Sequence, residues 1–416
     1  MVASTDIKFY VHTNNNAPQL QNAYGSMINV LDACLVNGIN IGTVSSLTAS
    51  GTTVTALFSS SHNLMQYQVI KITGASQPEF NGEHRILTVP NAQSVTFELA
   101  AVPSATTATG TITASLPPLG WEKPFSSINP NGGGKAAYRS KNLLLPSRPF
   151  LRVVDELDPV YTATYAKYAK VGIVEDMTDI DVMLGVQAPF DSNLPNKNWV
   201  GTGSGGSAVD GWSKWYYASN AINAGDSSPP TTSIKQWLLV GNGDFFYILP
   251  SHVQSRNHAI LYGFGCFERV LETDISNNFL ISTYRSIGVG GTAYRGSYTG
   301  GVSNGVNAKL LLQRNYLQEA KPAEANCEAL SVKGQGVLGS GSANYLTVVT
   351  DDVLFSPVFI NENVFRGKLP LINWLYRAEP IPHKELFVKN NEIFMGYLTE
   401  VESSNFGELA VKIGDL

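Results

Sequence analysis

Residues 43–58, TVSSLTASGTTVTALF, decide the fold of this chain. Val54, Ala56 and Phe58 alternate with Thr53, Thr55 and Leu57, the period of a strand with one buried face. Ser50-Gly51 separates this run from a Thr/Val-rich run before it, as a hairpin turn does. Further out, Val95, Phe97 and Leu99 repeat the alternation. Gln66–Thr73 and His84–Val89 read as two more strands around a turn that includes Pro78 and Asn81-Gly82, and Thr107–Ser115 supplies the last. About six short strands fit a small closed or nearly closed barrel, which leaves no open sheet edge. Residues 43–115 hold five charged side chains (Lys71, Glu79, Glu83, Arg85, Glu98) and 23 Ser or Thr, which sets this stretch apart from its flanks. Pro117-Pro118 marks its exit.

The flanks read as one body interrupted by this module. Ile7, Phe9 and Val11 alternate as a strand, and Asn14–Pro18 breaks it. Tyr24, Met27, Ile28, Leu31 and Leu35 form a helical stripe that Gly38 is placed to end. The spacing predicts a helix packed on a sheet. Beyond the module, Phe150–Val154 reads as a strand, 161–174 fits strand or helix, and Thr178–Leu184 fits a short helix. Trp237–Val240 and Phe245–Leu249 flank Gly241-Asn242-Gly243-Asp244, a hairpin signal. Strand-like runs follow at Ile260–Phe267, Phe279–Thr283, Leu346–Val349, Phe355–Ile360, Glu392–Leu398 and Leu409–Ile413, with no regular helices between them. The expected fold is mainly β, of sandwich or barrel type, with one or two short helices and an inserted small β-barrel-like domain. The expected division is 1–42 plus 117–416 as the body, with a subdivision near 200–235, and 43–116 as the insert.

Composition narrows the function. Charged residues make up 15% of the 416, against about 25% in an ordinary globular chain. A low-charge surface carries little of the repulsion that keeps proteins apart, and so favours burial against partners. The net charge of −5 and the absence of Lys/Arg clusters argue against nucleic acid. Cys34, Cys266 and Cys327 are odd in number and far apart, without CxxC or Cys/His spacing, and read as reduced, buried thiols. Met1–Tyr10 lacks the basic and apolar regions of a secretion signal, and no run of 18 apolar residues occurs, so no membrane span is expected.

The motifs with chemical meaning fail on context. Gly334-Gln335-Gly336-Val337-Leu338-Gly339 matches a dinucleotide fingerprint, but Gly- and Ser-rich sequence follows it instead of a helix. Gly301-Val302-Ser303-Asn304-Gly305 matches a nucleophile elbow, and Ser303, Asp351 or Asp352, and His383 have the order of a hydrolase triad. That match sits in the Gly-rich run 288–305 rather than between a strand and a helix. His252 and His258 lie six apart without a metal-binding motif. Glu175, Asp176, Asp179 and Asp181 lack the ligand pattern of a calcium loop and read as a solvated turn and helix start. Hence no catalytic, cofactor-binding or metal-binding residue is assigned. Aromatic side chains crowd at Trp212, Trp215, Tyr216 and Tyr217, which form the candidate interaction surface.

The turn Gly74-Ala75-Ser76-Gln77-Pro78-Glu79-Phe80-Asn81-Gly82-Glu83, with Ser50-Gly51-Thr52 and Gly110-Thr111-Ile112-Thr113, resembles a small β-domain that recurs in tailed-bacteriophage virion proteins. The flanking pieces Leu31–Gly38, Gly120–Phe125, Lys135–Ser140, Trp237–Val240 and Tyr262–Gly265 are similar to a family of uncharacterised phage structural proteins. The resemblance implies a non-enzymatic virion component, made in the host cytoplasm, that assembles with copies of itself and with neighbouring head, neck, tail or baseplate proteins. It brings no catalytic residue and no cofactor. Two other readings stay open: a receptor- or glycan-binding virion protein using Trp212 and Trp215, and a virion-borne serine hydrolase using Ser303. The Gly-rich runs 201–211 and 288–305 are expected to order on contact with partners.

Overall fold

The computed structural model describes residues 3–201, 211–219, 226–251, 259–284, 309–328, 354–376, 381–402 and 405–416. The chain is mainly β, in three sheets, one of which is a closed barrel. A first strand, β1 (Lys8–Val11), leads to helix α1 (Ser26–Leu31), which continues as a wider π-helical turn over Asp32–Asn37. Met27, Val30, Leu31, Cys34 and Leu35 are buried, so the stripe read from sequence is the packed face. Gly38 takes φ 78° and ends the helix. The helix lies on β9 (Gly133–Ser140) and β10 (Phe150–Glu156).

The barrel comprises β2 (Ile39–Ser50), β3 (Thr53–Phe58), β4 (Val69–Ala75), β5 (Gly82–Asn91), β6 (Ser94–Glu98) and β7 (Gly110–Leu116), in the order β2-β3-β6-β5-β4-β7. Alternate residues fill it: Leu47, Val54, Ala56, Ile72, Ile86, Val95, Phe97 and Ile112 are buried, and the Thr residues between them face out. Ser50 pairs with Thr53 across the first turn, and Ile39 pairs with Leu116, so the barrel opens and closes at one place.

The barrel is clasped to the rest of the chain by buried polar groups. The Arg85 guanidinium, on β5, donates to the carbonyls of Ser4 (2.6 Å), Ile7 (3.0 Å), Tyr67 (2.7 Å) and Ile413 (3.3 Å). Burial lowers its pKa to about 10, so the group stays charged at neutral pH and each donor is charge-assisted. Gln68 and Asn14 exchange amide hydrogen bonds of 2.9 Å, and the Tyr10 hydroxyl donates to the Pro117 carbonyl at 2.5 Å.

A seven-stranded sheet runs β19-β13-β11-β10-β9-β8, where β8 is Trp121–Ile128, β11 Lys167–Asp179, β13 Ser213–Ala218 and β19 Thr283–Tyr284. A seventh strand, β12 (Val182–Ala188), pairs with the far part of β11. The helix expected over Thr178–Leu184 is therefore a hairpin. Met177, Ile180 and Val186 are buried, and Asp181 accepts from Arg152 (2.6 Å) and Lys135 (2.8 Å) instead of capping a helix.

A thirteen-stranded sheet takes in β1 and the C-terminal half. Its path is β1, β14 (Trp237–Gly241), β15 (Phe245–Pro250), β16 (Tyr262–Cys266), β18 (Asn278–Ile281), β20 (Leu310–Leu312), β21 (Ala323–Glu328), β22 (Leu354–Asn361), β23 (Phe365–Tyr376), β26 (Asn405–Asp415), β25 (Glu392–Glu402) and β24 (Leu386–Lys389). The short β17 (Glu268–Arg269) pairs with β23 off this path. Alternation divides its first half between two cores. Leu239, Phe246, Ile248, Phe264 and Leu280 pack with Val171, Trp215 and Tyr217 of the seven-stranded sheet. Leu238, Val240, Tyr247, Leu249 and Phe279 pack with Ile360, Ile372, Met395 and Val411, so the sheet folds back over itself. Both faces are covered, which is why these strands read as unbroken apolar runs.

Candidate interaction surface

Successive turns of an antiparallel sheet fall alternately at its two ends. The turns at 242–244, 267–277, 313–322 and 362–364 of the thirteen-stranded sheet therefore share one end. These turns carry apolar side chains outward. Val270, Leu271 and Ile275 project from the first long turn, Tyr316 and Leu317 from the second, and Val364 and Phe365 from the third. Leu271 is 61% exposed, Leu317 60% and Phe365 52%, values that no core residue approaches. The 141–149 segment, which joins β9 to β10, is tied to this end by Ser147 Oγ donating to Gln313 Oε1 (2.9 Å) and Asn142 Nδ2 donating to Asp244 Oδ1 (2.9 Å). It adds Leu143 and Leu144, the latter 92% exposed. Monomeric proteins seldom gather many exposed apolar groups at one end.

A buried ionic hub holds the turns in place. Arg366, at the start of β23, pairs with Asp274 through two nitrogens, Nε to Oδ2 at 2.6 Å and Nη2 to Oδ1 at 2.9 Å. Its Nη1 donates to Glu362 and to the Arg314 carbonyl (3.2 Å), and the guanidinium stacks 5.6 Å from the Phe267 ring centre. Gln318 Nε2 donates to Asp274 Oδ1 (3.0 Å), and Gln318 Oε1 accepts from the Ser276 amide (3.1 Å). Glu362 Oε1 accepts from the Tyr316 amide (3.3 Å). One arginine thus locks three turns that lie far apart in sequence. Burial raises the Glu362 pKa above the usual carboxylate value; the Arg366 charge opposes this without cancelling it.

The four aromatic residues expected to form the interaction surface lie inside. Trp212, Trp215, Tyr216 and Tyr217 are all buried, because β13 is an inner strand with covered faces. Trp215 Nε1 donates to the Ile281 carbonyl (2.8 Å) and its ring stacks on Tyr262. The Tyr216 hydroxyl donates to Asp226 Oδ1 (2.8 Å) and the Tyr217 hydroxyl to Asp155 Oδ1 (2.6 Å). These side chains join the two sheets and offer no ring to a sugar or a partner.

Burial accounts for the shifted pKa values of several other groups. Asp155 is raised to about 6 by burial, against hydrogen bonds from Tyr217 and the α1 backbone that act the other way. Burial lowers Lys167 to about 8; its ammonium donates to the carbonyls of Ala163 and Tyr165, both at 2.6 Å. Cys34, Cys266 and Cys327 are buried free thiols, and burial pushes Cys266 up to about 12. Among the described residues, no three His, Cys, Asp or Glu side chains gather as metal ligands, and no helix is long and apolar enough to cross a membrane. His383 packs edge-on against Tyr397. Ser303, Asp351, Asp352, His252, His258, the 334–339 glycine motif and the strand expected at Leu346–Val349 lie outside the described residues, as do nearly all of the Gly-rich runs at 201–211 and 288–305.

No protein-family model matches the sequence, and no curated protein matches it. Among solved structures the chain is similar to a phage phi92 endosialidase, at 10% identity and a TM-score of 0.16. The match takes in 91% of this chain and 52% of the other, so the chain spans about half that structure's length. Similarity at that level does not define a shared fold or activity.

Proposed function

We propose that this chain is a non-enzymatic structural component of a tailed-bacteriophage virion, made in the host cytoplasm, which acts by docking to copies of itself and to neighbouring virion proteins. The barrel is proposed to be an inserted module carried on the body. The observation that carries the docking reading is the apolar end of the long sheet, held rigid by Arg366. Exposed apolar side chains on a fixed frame form a contact surface at low ordering cost, because their turns are already held before any partner arrives. Specific protein contacts of this kind bury about 1,200–2,000 Å² in total. The low charge content agrees with a chain that spends its life against partners. The sequence resemblance of the barrel and its flanks supplies the virion context.

The test is particle composition. Virions purified from a phage that encodes the chain should contain it in fixed stoichiometry, visible by labelling in electron micrographs. Removing its gene should leave particles or tails that fail to assemble. Complete, infectious particles without the chain overturn the reading.

A further inference from the structure

We infer that the 141–149 segment is the contact point for a neighbouring virion protein of acidic character, one that offers an apolar cleft rimmed by carboxylates. The inference deepens the assembly reading and rests on it. The segment is a fixed knob. Ser140 Oγ accepts from the Asn142 amide (3.0 Å), and Asn142 Oδ1 accepts from the Leu144 amide (3.0 Å). The bonds to Asp244 and Gln313 already described tie it down on both sides of the leucines. Leu143, 79% exposed, and Leu144 stand out from it, so their shape is set before a partner arrives.

Charge complementarity selects the partner. Arg139, Lys141 and Arg148 flank the two leucines. Two carboxylates reach this stretch. Glu122 Oε1 accepts from both Arg139 Nε (2.5 Å) and Arg148 Nη2 (3.3 Å), and Asp244 is bonded to Asn142. Lys141 is exposed and, among the described residues, pairs with no acid. Arg139 commits only Nε to an acceptor, so the far end of its guanidinium can take a further carboxylate through two parallel bonds. The stretch is thus cationic around an apolar tip. The surface that completes it is the reverse, an apolar floor with acids at its edge. A second copy docked face to face on the same knob would set these bases against themselves. A flat anionic membrane would also press on the Glu272 and Glu319 carboxylates of the neighbouring turns, which offsets part of what the bases gain. A protein partner need cover only the knob and its bases.

The experiment compares purified virions with the free chain. Acetic anhydride should modify Lys141 about tenfold less in the particle than in the free chain, as a buried contact requires. A zero-length carbodiimide should join Lys141 to an Asp or Glu of a different virion polypeptide, read by mass spectrometry. Phage encoding Leu144→Asp with Lys141→Glu should incorporate about tenfold less of the chain, or none. Lys141→Arg and, away from the knob, Ile128→Asp should be incorporated in full. Leu144 and Lys141 are exposed, so circular dichroism and melting of the purified double variant should match wild type. The acetylation and cross-linking arms need no variant and decide alone should it misfold. Equal acetylation in particle and free chain, a link from Lys141 to another copy of this chain, or Lys141-dependent binding of the free chain to phosphatidylserine vesicles overturns the inference. The virion reading fails separately, on absence of the chain from purified particles.

Discussion

Arg366 grips Asp274 with two parallel hydrogen bonds, of 2.6 and 2.9 Å, across 92 positions of sequence, and both side chains are buried. Replacing Arg366 with Ala strands two buried carboxylates, Asp274 and Glu362. The expected loss is about 3–5 kcal/mol, read as a fall in the urea midpoint. Arg366→Lys should recover only part of it, because an ammonium cannot make the forked pair. A Lys variant that unfolds at the wild-type midpoint would show that charge alone, not fork geometry, holds the turns.

Asp155 links α1 to β13. Its carboxylate accepts from the Met27 amide (3.0 Å) and from Tyr217 (2.6 Å), yet burial lifts its pKa from 3.8 to about 6. Between those values the folded chain keeps a proton that the unfolded chain has released. Its contribution is therefore complete below about pH 4 and declines as pH rises to about 6, by roughly 3 kcal/mol. Asp158 and Asp181, held low beside Lys170 and beside Lys135 and Arg152, act in the opposite sense, losing their contribution as pH falls. The difference between wild type and Asp155→Asn isolates the first effect. Chemical denaturation from pH 4 to 7 should show the variant gaining relative to wild type as pH rises; parallel curves would refute the assignment.

Gly133 and Gly132 share a turn and both take positive φ, 75° and 104°. A Cβ on Gly133 would lie 1.9 Å from the Asp155 carbonyl oxygen, whereas one on Gly132 meets nothing within 4 Å. Gly133→Ala should therefore cost roughly 3 kcal/mol or more and Gly132→Ala about 1 kcal/mol, the strain of the backbone alone. Equal losses in thermal unfolding would mean that the close approach of β9 and β10 does not set the penalty.

Arg85→Met keeps bulk but takes the donors from four carbonyls. A loss of about 2–4 kcal/mol is expected, with faster amide exchange in β4 and β5 than in β13. Deleting 43–116 should leave a body that still unfolds cooperatively, at a lower midpoint because the Gln68 and Arg85 clasps are gone. A body that aggregates or unfolds without cooperativity would make the barrel part of one indivisible core.

The barrel and α1 were legible in the sequence because each obeys one period throughout: Val54, Ala56 and Phe58 at two, Met27, Leu31 and Leu35 at four. The β11–β12 hairpin was not, since Thr178-Asp179-Ile180-Asp181 offers the residues of a helix start, and the distant Arg152 and Lys135 hold Asp181 in a turn. Lys167 and Lys170 also mislead, as lysines in a strand suggest water, yet both are buried, Lys170 against Asp158 at 2.8 Å. The aromatic cluster at 212–217 suggested a surface because density of rings signals contact either inside or outside a protein. The apolar end left almost no local trace. Leu271, Leu317 and Phe365 stand singly or in pairs among polar neighbours, and only the alternation of antiparallel turns brings them together.

Ile39 and Leu116 are partners in one strand pair, so the chain leaves the barrel beside the point where it entered. The Tyr10 hydroxyl marks that junction by reaching Pro117. If the barrel is the inserted module proposed above, a gene for this chain should be able to gain, lose or exchange some seventy codons in a single recombination, with a tight turn closing the gap between Gly38 and Pro117.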